Sequence, residues 1–580
     1  MGDKDPSLTI KDMSGGLVTN IGAQSIGPNQ TPDSLNVFAY LGEMLFRGGF
    51  NQFSTLPGKC DGAIPYYDPG NTFHMLAWVN GDIYDFASGA PVLVAAAVYV
   101  SGQQIAKCQL NGIIYWATLT VPLRQYDGTT EMAVPNSGGV GVIPPPACNF
   151  LIPYAGSLVA VYPVPGGVPA PSAFMWCVPN DPTTWFGTSI QTVGSNDGSV
   201  CTFALLMGIV PGAVSNPGIP STRQLLVGKT TKNIFLYQGA LGTLTENAVP
   251  CPVGAIDPNS AVYIPSDQGL GTVMFVGSDG NMWRTNGSTA EIASNNIQNL
   301  VYTLVKNALL ADAFQKFNAI YNDRYQYYLV DFGNNTQLAF KWDTGAWWLF
   351  QGWPSGCYVP ATARNGLPTI YVCAGQNDTS GVYEIGLTQT NDNGSDINAY
   401  YTTPWLHGGK PEKMKMFNDL VLSTYNVGVQ YTVTAFTMPR ADGTVEQSQP
   451  NVLNDPAFGA QAVVASGAIW DVSLWDQSQW GGGFPSLSQP YAMTEIRGVL
   501  NTLTTAATKW APAGVPTKLR SGAIQLKVQW SAGIPDFRII ALNVGFKFRT
   551  GNFVGALPFS TQGQQTTQQD NKFTNVGGQS

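Results

Sequence analysis

At 580 residues the chain is longer than one core usually serves, so two or more domains are expected. Charged residues make up only 11% and the formal net charge is −8, which excludes a conventional DNA-binding module, since that needs a basic surface. The 15 Trp, 24 Tyr and 27 Phe exclude disorder over most of the length, and the longest apolar run, Ala90 to Val100, falls short of the ~20 residues that span a bilayer.

Residues 1–55 read as an extended arm. Gly15-Gly16, Gly22, Gly27-Pro28, Pro32 and Gly48-Gly49 interrupt it too often for regular elements. The opening has no apolar h-region, so no secretory signal is expected. Synthesis in a cytoplasm follows, with the eight scattered cysteines mostly reduced and buried.

From 56 to 390 one small unit recurs, a Gly-centred turn followed by an aliphatic-aromatic strand. It stands as Asn80-Gly81-Asp82-Ile83-Tyr84, as Asn111-Gly112-Ile113-Ile114-Tyr115-Trp116 and as Asp279-Gly280-Asn281-Met282-Trp283. Asn-Gly and Asp-Gly supply the positive-φ residues of tight hairpins. Hairpins repeated at this interval, with no helical segment of comparable strength between them, predict a β-propeller. Trp185, at the end of one such unit, is expected to pack between neighbouring blades.

After 390 the texture changes to long alternating strands, Val429 to Phe436, Ala523 to Trp530 and Phe537 to Phe546. Their period of two predicts a second, antiparallel β-sandwich-like domain over 391–550. A Pro-, Gln- and Gly-rich insertion interrupts it at about 438–515. There Trp470, Trp475 and Trp480 stand at five-residue spacing, either anchoring the loop on a neighbour or forming a local minicore. Residues 551–580 are read as a flexible tail. The fold class is therefore all-β throughout.

Signals for chemistry are sparse. Two histidines, His74 and His407, cannot build a multi-His metal site. Gly228-Lys229-Thr230 lacks the upstream glycine of a phosphate-binding loop, because Arg223 stands there. Asn391-Asp-Asn-Gly-Ser-Asp396 has the flavour of a calcium loop without its ligand spacing, and reads better as a solvated turn. Ser278-Asp279-Gly280 with Trp283 resembles a shortened Asp-box turn, structural at most. No catalytic centre, metal or cofactor is expected. With charge at less than half the about 25% of ordinary soluble proteins, much of the surface is expected to be covered by other subunits.

Ser14-Gly15-Gly16-Leu17-Val18-Thr19, then Pro32-Asp33-Ser34-Leu35-Asn36-Val37, then Gly42-Glu-Met-Leu-Phe46-Arg47-Gly48-Gly49 form a distinctive opening. It resembles the N-terminal signature of the tail tubular, or nozzle, proteins of short-tailed bacteriophages, with Gly48 in place of a common proline. The unit ending at Trp185, the stretch Thr402-Thr403 to Lys413-Met-Lys-Met-Phe417 and the last strand from Phe537 to Phe548 fit the same family. The resemblance implies a virion protein, a homo-hexameric ring below the portal and the head-to-tail adaptor that forms the distal conduit for DNA ejection. Tail fibres or a needle would be further partners, and genomic DNA would pass without specific binding. Six copies at −8 each carry −48, and an acidic bore would repel phosphates. Gly15, Gly16, Leu17, Asn36, Phe46 and Arg47 are then candidates for an assembly interface, with the arm docking on a neighbouring subunit or adaptor. Arg47 would make a charge-assisted bond at the junction or, equally, stand solvent-exposed. The alternative from another class is a carbohydrate-binding or hydrolysing propeller acting in receptor recognition.

Overall fold

The computed structural model describes residues 7–548 except residue 24 and the segments 68–72, 87–88, 195–197, 209–222, 266–270, 311–316, 324, 363–367, 375–380, 387–388, 390, 409–412, 426–429, 438–450, 455–493, 500, 504–515, 522 and 532–537. Trp470, Trp475, Trp480 and the tail lie outside the described residues.

The Gly-centred turns fold as hairpins. Asn80 and Gly81 sit at φ +52° and +94°, Asn111 and Gly112 at +50° and +79°, the two left-handed residues of a type I′ corner. Asp279-Gly280 turns differently. Only Gly280 has positive φ, +82°, and the Asp279 carboxylate holds the corner by accepting from the Asn281 backbone N–H (3.1 Å), Asn281 Nδ2 (2.7 Å) and Trp283 Nε1 (3.1 Å).

Among the described residues these hairpins assemble into seven sheets arranged as a β-propeller. The innermost strands of blades 1 to 6 are Cys60–Tyr67, Ala106–Leu110, Ala147–Tyr154, Cys201–Met207, Val262–Ile264 and Asn318–Asn322. Blade 7 is built from Gly356–Thr362, Pro368–Ala374 and Gly381–Gly386, and takes its outermost strand, Gly49–Thr55, from the start of the chain. The register runs from Gly386 opposite Gly49 to Gly381 opposite Thr55. The first strand of blade 7 packs on that of blade 1, so the ring closes. Covalent continuity cannot close such a ring. A strand borrowed from the far end of the propeller does.

Tryptophans fill the spaces between blades. Trp185 is fully buried among Cys108, Tyr115 and Ala117 of blade 2 and Leu151, Leu158 and Met175 of its own blade, and Trp283 packs on Phe203, Leu226 and Leu236 of blade 4. One helix stands among the described residues, Gln298–Leu310, between blades 5 and 6. Val301, Val305 and Ala308 bury its inner side, and Asn20 of the arm covers its first turn by accepting from the Asn299 N–H at 3.1 Å.

Two further sheets share a core and form the second domain. One orders Asn501–Leu503, Pro516–Ser521, Lys415–Tyr425, Arg538–Phe548, Glu43–Phe46 and Val37–Tyr40, with Ser7–Ile10 also on Arg538–Phe548 and Thr494–Val499 also on Lys415–Tyr425. The other orders Asn451–Asn454, Gln430–Thr437, Ile524–Ser531, Asn398–Thr402 and Asp33–Leu35. Ile524, Leu526, Val528 and Trp530 point into this core while Gln525, Lys527 and Gln529 are less buried, the period of two of a half-buried strand. Three strands of the 438–515 insertion, Asn451–Asn454, Thr494–Val499 and Asn501–Leu503, belong to the sheets themselves.

The first 55 residues were expected as an extended arm without regular elements, docking on a neighbouring subunit or the adaptor. In the structure their strands lie inside both domains: Ser7–Ile10, Asp33–Leu35, Val37–Tyr40 and Glu43–Phe46 complete the two sheets of the second domain, and Gly49–Thr55 completes the propeller. The propeller thus begins at Gly49. A chain starting at residue 56 is expected to lose cooperative thermal unfolding by circular dichroism and to precipitate, whereas one lacking only residues 1–6 melts as the full chain does. A soluble, cooperatively melting chain from residue 56 would show that the borrowed strand does not close the ring.

Candidate functional site

The arm crosses from one domain to the other between Asn36 and Gly49, and there the sequence candidates meet. Asn36 takes φ +58°, which asparagine tolerates better than a branched residue. The turn is fixed on both sides: Asn36 N–H donates to the Leu349 carbonyl at 2.9 Å, and its Nδ2 donates to the Asn398 carbonyl at 2.8 Å. One side chain thus ties the last strand of blade 6 to the first strand of the second domain. Its Oδ1 accepts from the Gln351 N–H (2.7 Å) and from Arg47 Nε (2.8 Å).

Arg47 is 1% exposed, so the solvent-exposed alternative for it is overturned. All five of its N–H groups have acceptors: Nε bonds Asn36 Oδ1 and the Gln351 carbonyl (3.1 Å), one terminal nitrogen bonds the Gly48 carbonyl (3.0 Å) and Asp392 Oδ1 (2.8 Å), and the other bonds the Gln351 carbonyl (2.5 Å) and Asp392 Oδ2 (2.5 Å). The guanidinium also lies 5.3 Å from the centre of the Trp353 ring, whose Nε1 donates to the Gly48 carbonyl at 2.8 Å. A desolvated charge is stable only when paired and fully bonded. The planar five-donor fork meets this requirement, and an ammonium could not.

Asp392, the partner, lies in the Asn391 to Asp396 stretch that read as a solvated turn. The turn does form, with the Gly394 N–H donating to Asn391 Oδ1 at 2.7 Å, but its carboxylate faces inward to Arg47. The acidic residue nearest the change of texture at 390 was the available signal. Gly352, at φ +104°, completes the fit, since a Cβ there would stand 2.6 Å from the Arg47 guanidinium.

Packing reinforces the polar clamp. Phe46, Val37 and Phe38 share one core with Trp348, Phe350 and Ile385 of the propeller and with Leu420, Val528 and Val544 of the second domain. Lys341 of blade 6, its pKa lowered by burial, donates to the Tyr325 carbonyl at 2.6 Å and lies 5.3 Å from the ring centre of Tyr40 on the arm. A cavity of about 20 Å³ remains beside Arg47, Tyr327 and Trp353, room for a water and no more.

Gly16 and Leu17 lie elsewhere, on blade 6, while Gly15 packs on Asn29 and Gln30 of the arm. Gly16, at φ +69°, passes so close that a Cβ would meet Ala346 Cβ at 2.6 Å and the Trp347 backbone at 3.0 Å. Leu17 is buried with Trp347, Val301 and Val305. Gly16, Leu17, Asn36, Phe46 and Arg47 therefore contact the chain's own domains.

Among the described residues no group of three or more His, Cys, Asp or Glu side chains is placed to hold a metal ion, and no helix is long and apolar enough to cross a membrane. All eight cysteines are buried free thiols; burial pushes Cys177 up to about 11 and Cys108 well above its ordinary value, which suppresses thiolate chemistry. Lys229 of the rejected phosphate-loop match is buried, with Nζ donating to the Val193 carbonyl at 3.2 Å.

No protein-family model matches the chain, and no curated protein matches it in sequence. Solved structures with a similar fold include BamB from Moraxella catarrhalis, at 9% identity and a TM-score of 0.33 over 61% of this chain and 96% of that one. The extracellular domain of BT4673 from B. thetaiotaomicron aligns at 9% identity and 0.36 over 70% and 46%, and U3-55K at 6% and 0.35 over 58% and 98%. The sheets themselves define the class: a seven-bladed β-propeller joined to a two-sheet antiparallel domain. In this chain the N-terminal arm, clamped at Arg47, completes both parts.

Replacing Arg47 with alanine is expected to destabilise the protein by about 3–5 kcal/mol, because the partly buried Asp392 loses its counter-charge and the Asn36, Gln351 and Gly48 oxygens lose their donor. Arg47→Lys should recover less than half of that loss in urea midpoints. Full recovery by lysine would show that charge alone, without the fork, suffices.

Proposed function

We propose that this chain is a structural component of a virus tail, a ring-forming nozzle subunit through which DNA leaves the particle. The observation that carries the reading is the behaviour of the opening motif. Gly16, Asn36 and Arg47, three of the residues on which the resemblance to tail tubular proteins rests, all occupy positions that demand their residue type: a close backbone approach, a left-handed turn with bonds to both domains, and a five-donor clamp. A rigid two-domain body is what a ring subunit under load requires.

Surface composition supports it. Large apolar side chains stand exposed at Val92, Leu93, Met132, Val140 and Val168 on blades 1 to 3 and at Tyr302, Leu309 and Leu310 on the helix between blades 5 and 6. Patches at separate places on one subunit suit the head-to-tail contacts of a cyclic assembly. No residue carries a catalytic role in this reading. The arm belongs to the subunit's own fold, so contacts with neighbours fall to other surfaces.

The test is electron microscopy and native mass spectrometry of the purified protein, alone and with the adaptor of the same particle. A closed six-membered ring with an axial opening is expected. A protein that stays monomeric in both mixtures and releases sugar from a polysaccharide would overturn the reading in favour of a glycan-acting propeller.

A further inference from the structure

One buried charge site of the propeller is a single carboxylate without a cationic partner. Asp331 ends the second strand of blade 6, is 1% exposed, and lies against the start of blade 7. Its Oδ1 accepts from Ser355 Oγ (2.9 Å), the Gly333 N–H (3.1 Å) and Gln337 Nε2 (3.2 Å), while Oδ2 accepts only from the Gly356 N–H at 3.2 Å. Three of the four donors complete one oxygen and leave the other with an open position.

Around it stand buried polar atoms that lack partners. Gln337 Oε1 is a buried acceptor without a donor in bonding geometry, and the Tyr358 hydroxyl, on the first strand of blade 7, lies beside the Gln337 side chain. A third, Asn318 Nδ2 on the strand paired with Asp331, is a donor. An ionised Asp331 supplies acceptors only. A proton on Oδ2 supplies the donor that Gln337 Oε1 lacks, and it removes an unpaired charge from a dry interior. The groups facing the carboxylate are otherwise neutral: Asn318 on the first strand of blade 6, Gln337 on the third, and Tyr358 on blade 7, whose phenol burial pushes well above its ordinary value. Tyr327 and Arg47 lie next to Tyr358, and Arg47 is already saturated by Asp392 and its other acceptors.

We propose that Asp331 is a proton-operated latch between the sixth and seventh blades, sealed when the carboxyl is neutral and loosened when it ionises. Burial raises its pKa from the ordinary 3.8 to about 7, so the exchange falls within reach of ordinary conditions. The latch is wired to the clamp. Gln337 Nε2 also donates to the Trp353 carbonyl at 3.1 Å, Trp353 Nε1 bonds the Gly48 carbonyl, and Gly48 precedes the closing strand. Ionisation admits water where the ring is sealed and where the second domain is attached.

The sign follows from linkage. The unfolded chain gives up this proton near pH 4 and the folded chain near 7, so the stabilisation is fully present below about pH 4 and is lost as pH rises through 7. The loss is about tenfold in the folding equilibrium per pH unit over that window, about a thousandfold in all. Asp12, Asp127 and Asp181, whose pKa values are lowered by hydrogen bonds, act in the opposite sense, so the informative quantity is the difference between wild type and Asp331→Asn.

The experiment compares the two full-length proteins by hydrogen exchange at pH 5.5 and 8.5, corrected for intrinsic rates. Peptides spanning 331–337, 353–357 and 49–55 are expected to lose protection at pH 8.5 in wild type and to keep it in D331N. Equal pH responses in the two proteins would overturn the proposal. If D331N does not fold, infrared spectra of the wild type decide alone: a protonated-carboxyl band that disappears near pH 7 supports the latch, and its absence at pH 5.5 ends it.

Discussion

A guanidinium taken out of water needs every donor matched, and the rest of this molecule is arranged so that Arg47 has that match. Its acceptors are four residues from three parts of the chain: the arm at Asn36 and Gly48, blade 6 at Gln351, and the linker beyond blade 7 at Asp392. None of the four can shift without leaving a buried charge under-bonded, which is why one residue can hold two domains in fixed relation. Apolar packing supplies the greater area, since Phe46 and its neighbours fuse the cores. Direction comes from the hydrogen bonds, because burial of apolar surface has no preferred orientation.

The ring closure and the clamp are one device. Gly49–Thr55 can act as the outermost strand of blade 7 only if the chain enters it at the right height, and the Arg47–Gly48 corner sets that height. Gly49 shows how tight the passage is: a Cβ there would lie 2.0 Å from the Asn391 carbonyl oxygen. The propeller and the second domain therefore form one mechanical unit, with the arm as a shared part.

Local rules were legible in the sequence, and distant pairings were not. Asn80-Gly81 and Asn111-Gly112 announce hairpins because the turn chemistry is written in adjacent residues, and the alternation from Ile524 to Trp530 announces a half-buried strand in the same way. The closing strand of the seventh blade escaped notice because it is separated from the other three by most of the chain; Gly49 and Gly386 carry no local mark of their pairing. The arm's glycines were read as breaks, whereas Gly16 and Gly49 are places where two backbones meet. Arg47 and Asn36 were visible as candidates through the opening motif. Their partner Asp392 was hidden in a turn whose composition fits solvent equally well, and Asp331 has no sequence signal, since burial of a lone carboxylate is a property of the folded state.

The borrowed strand has a consequence for how the protein is made. Gly49–Thr55 leaves the ribosome first, yet its partner Gly381–Gly386 is synthesised more than 300 residues later, on the order of tens of seconds at cellular elongation rates. Through that interval a nearly complete propeller has an open seam, and the arm strands that belong to the second domain have no native partner. Folding of the whole must wait for the last blade and then for Arg538–Phe548, the strand that receives Ser7–Ile10 and Glu43–Phe46. Translation order thus makes the beginning of this polypeptide the last part to find its place.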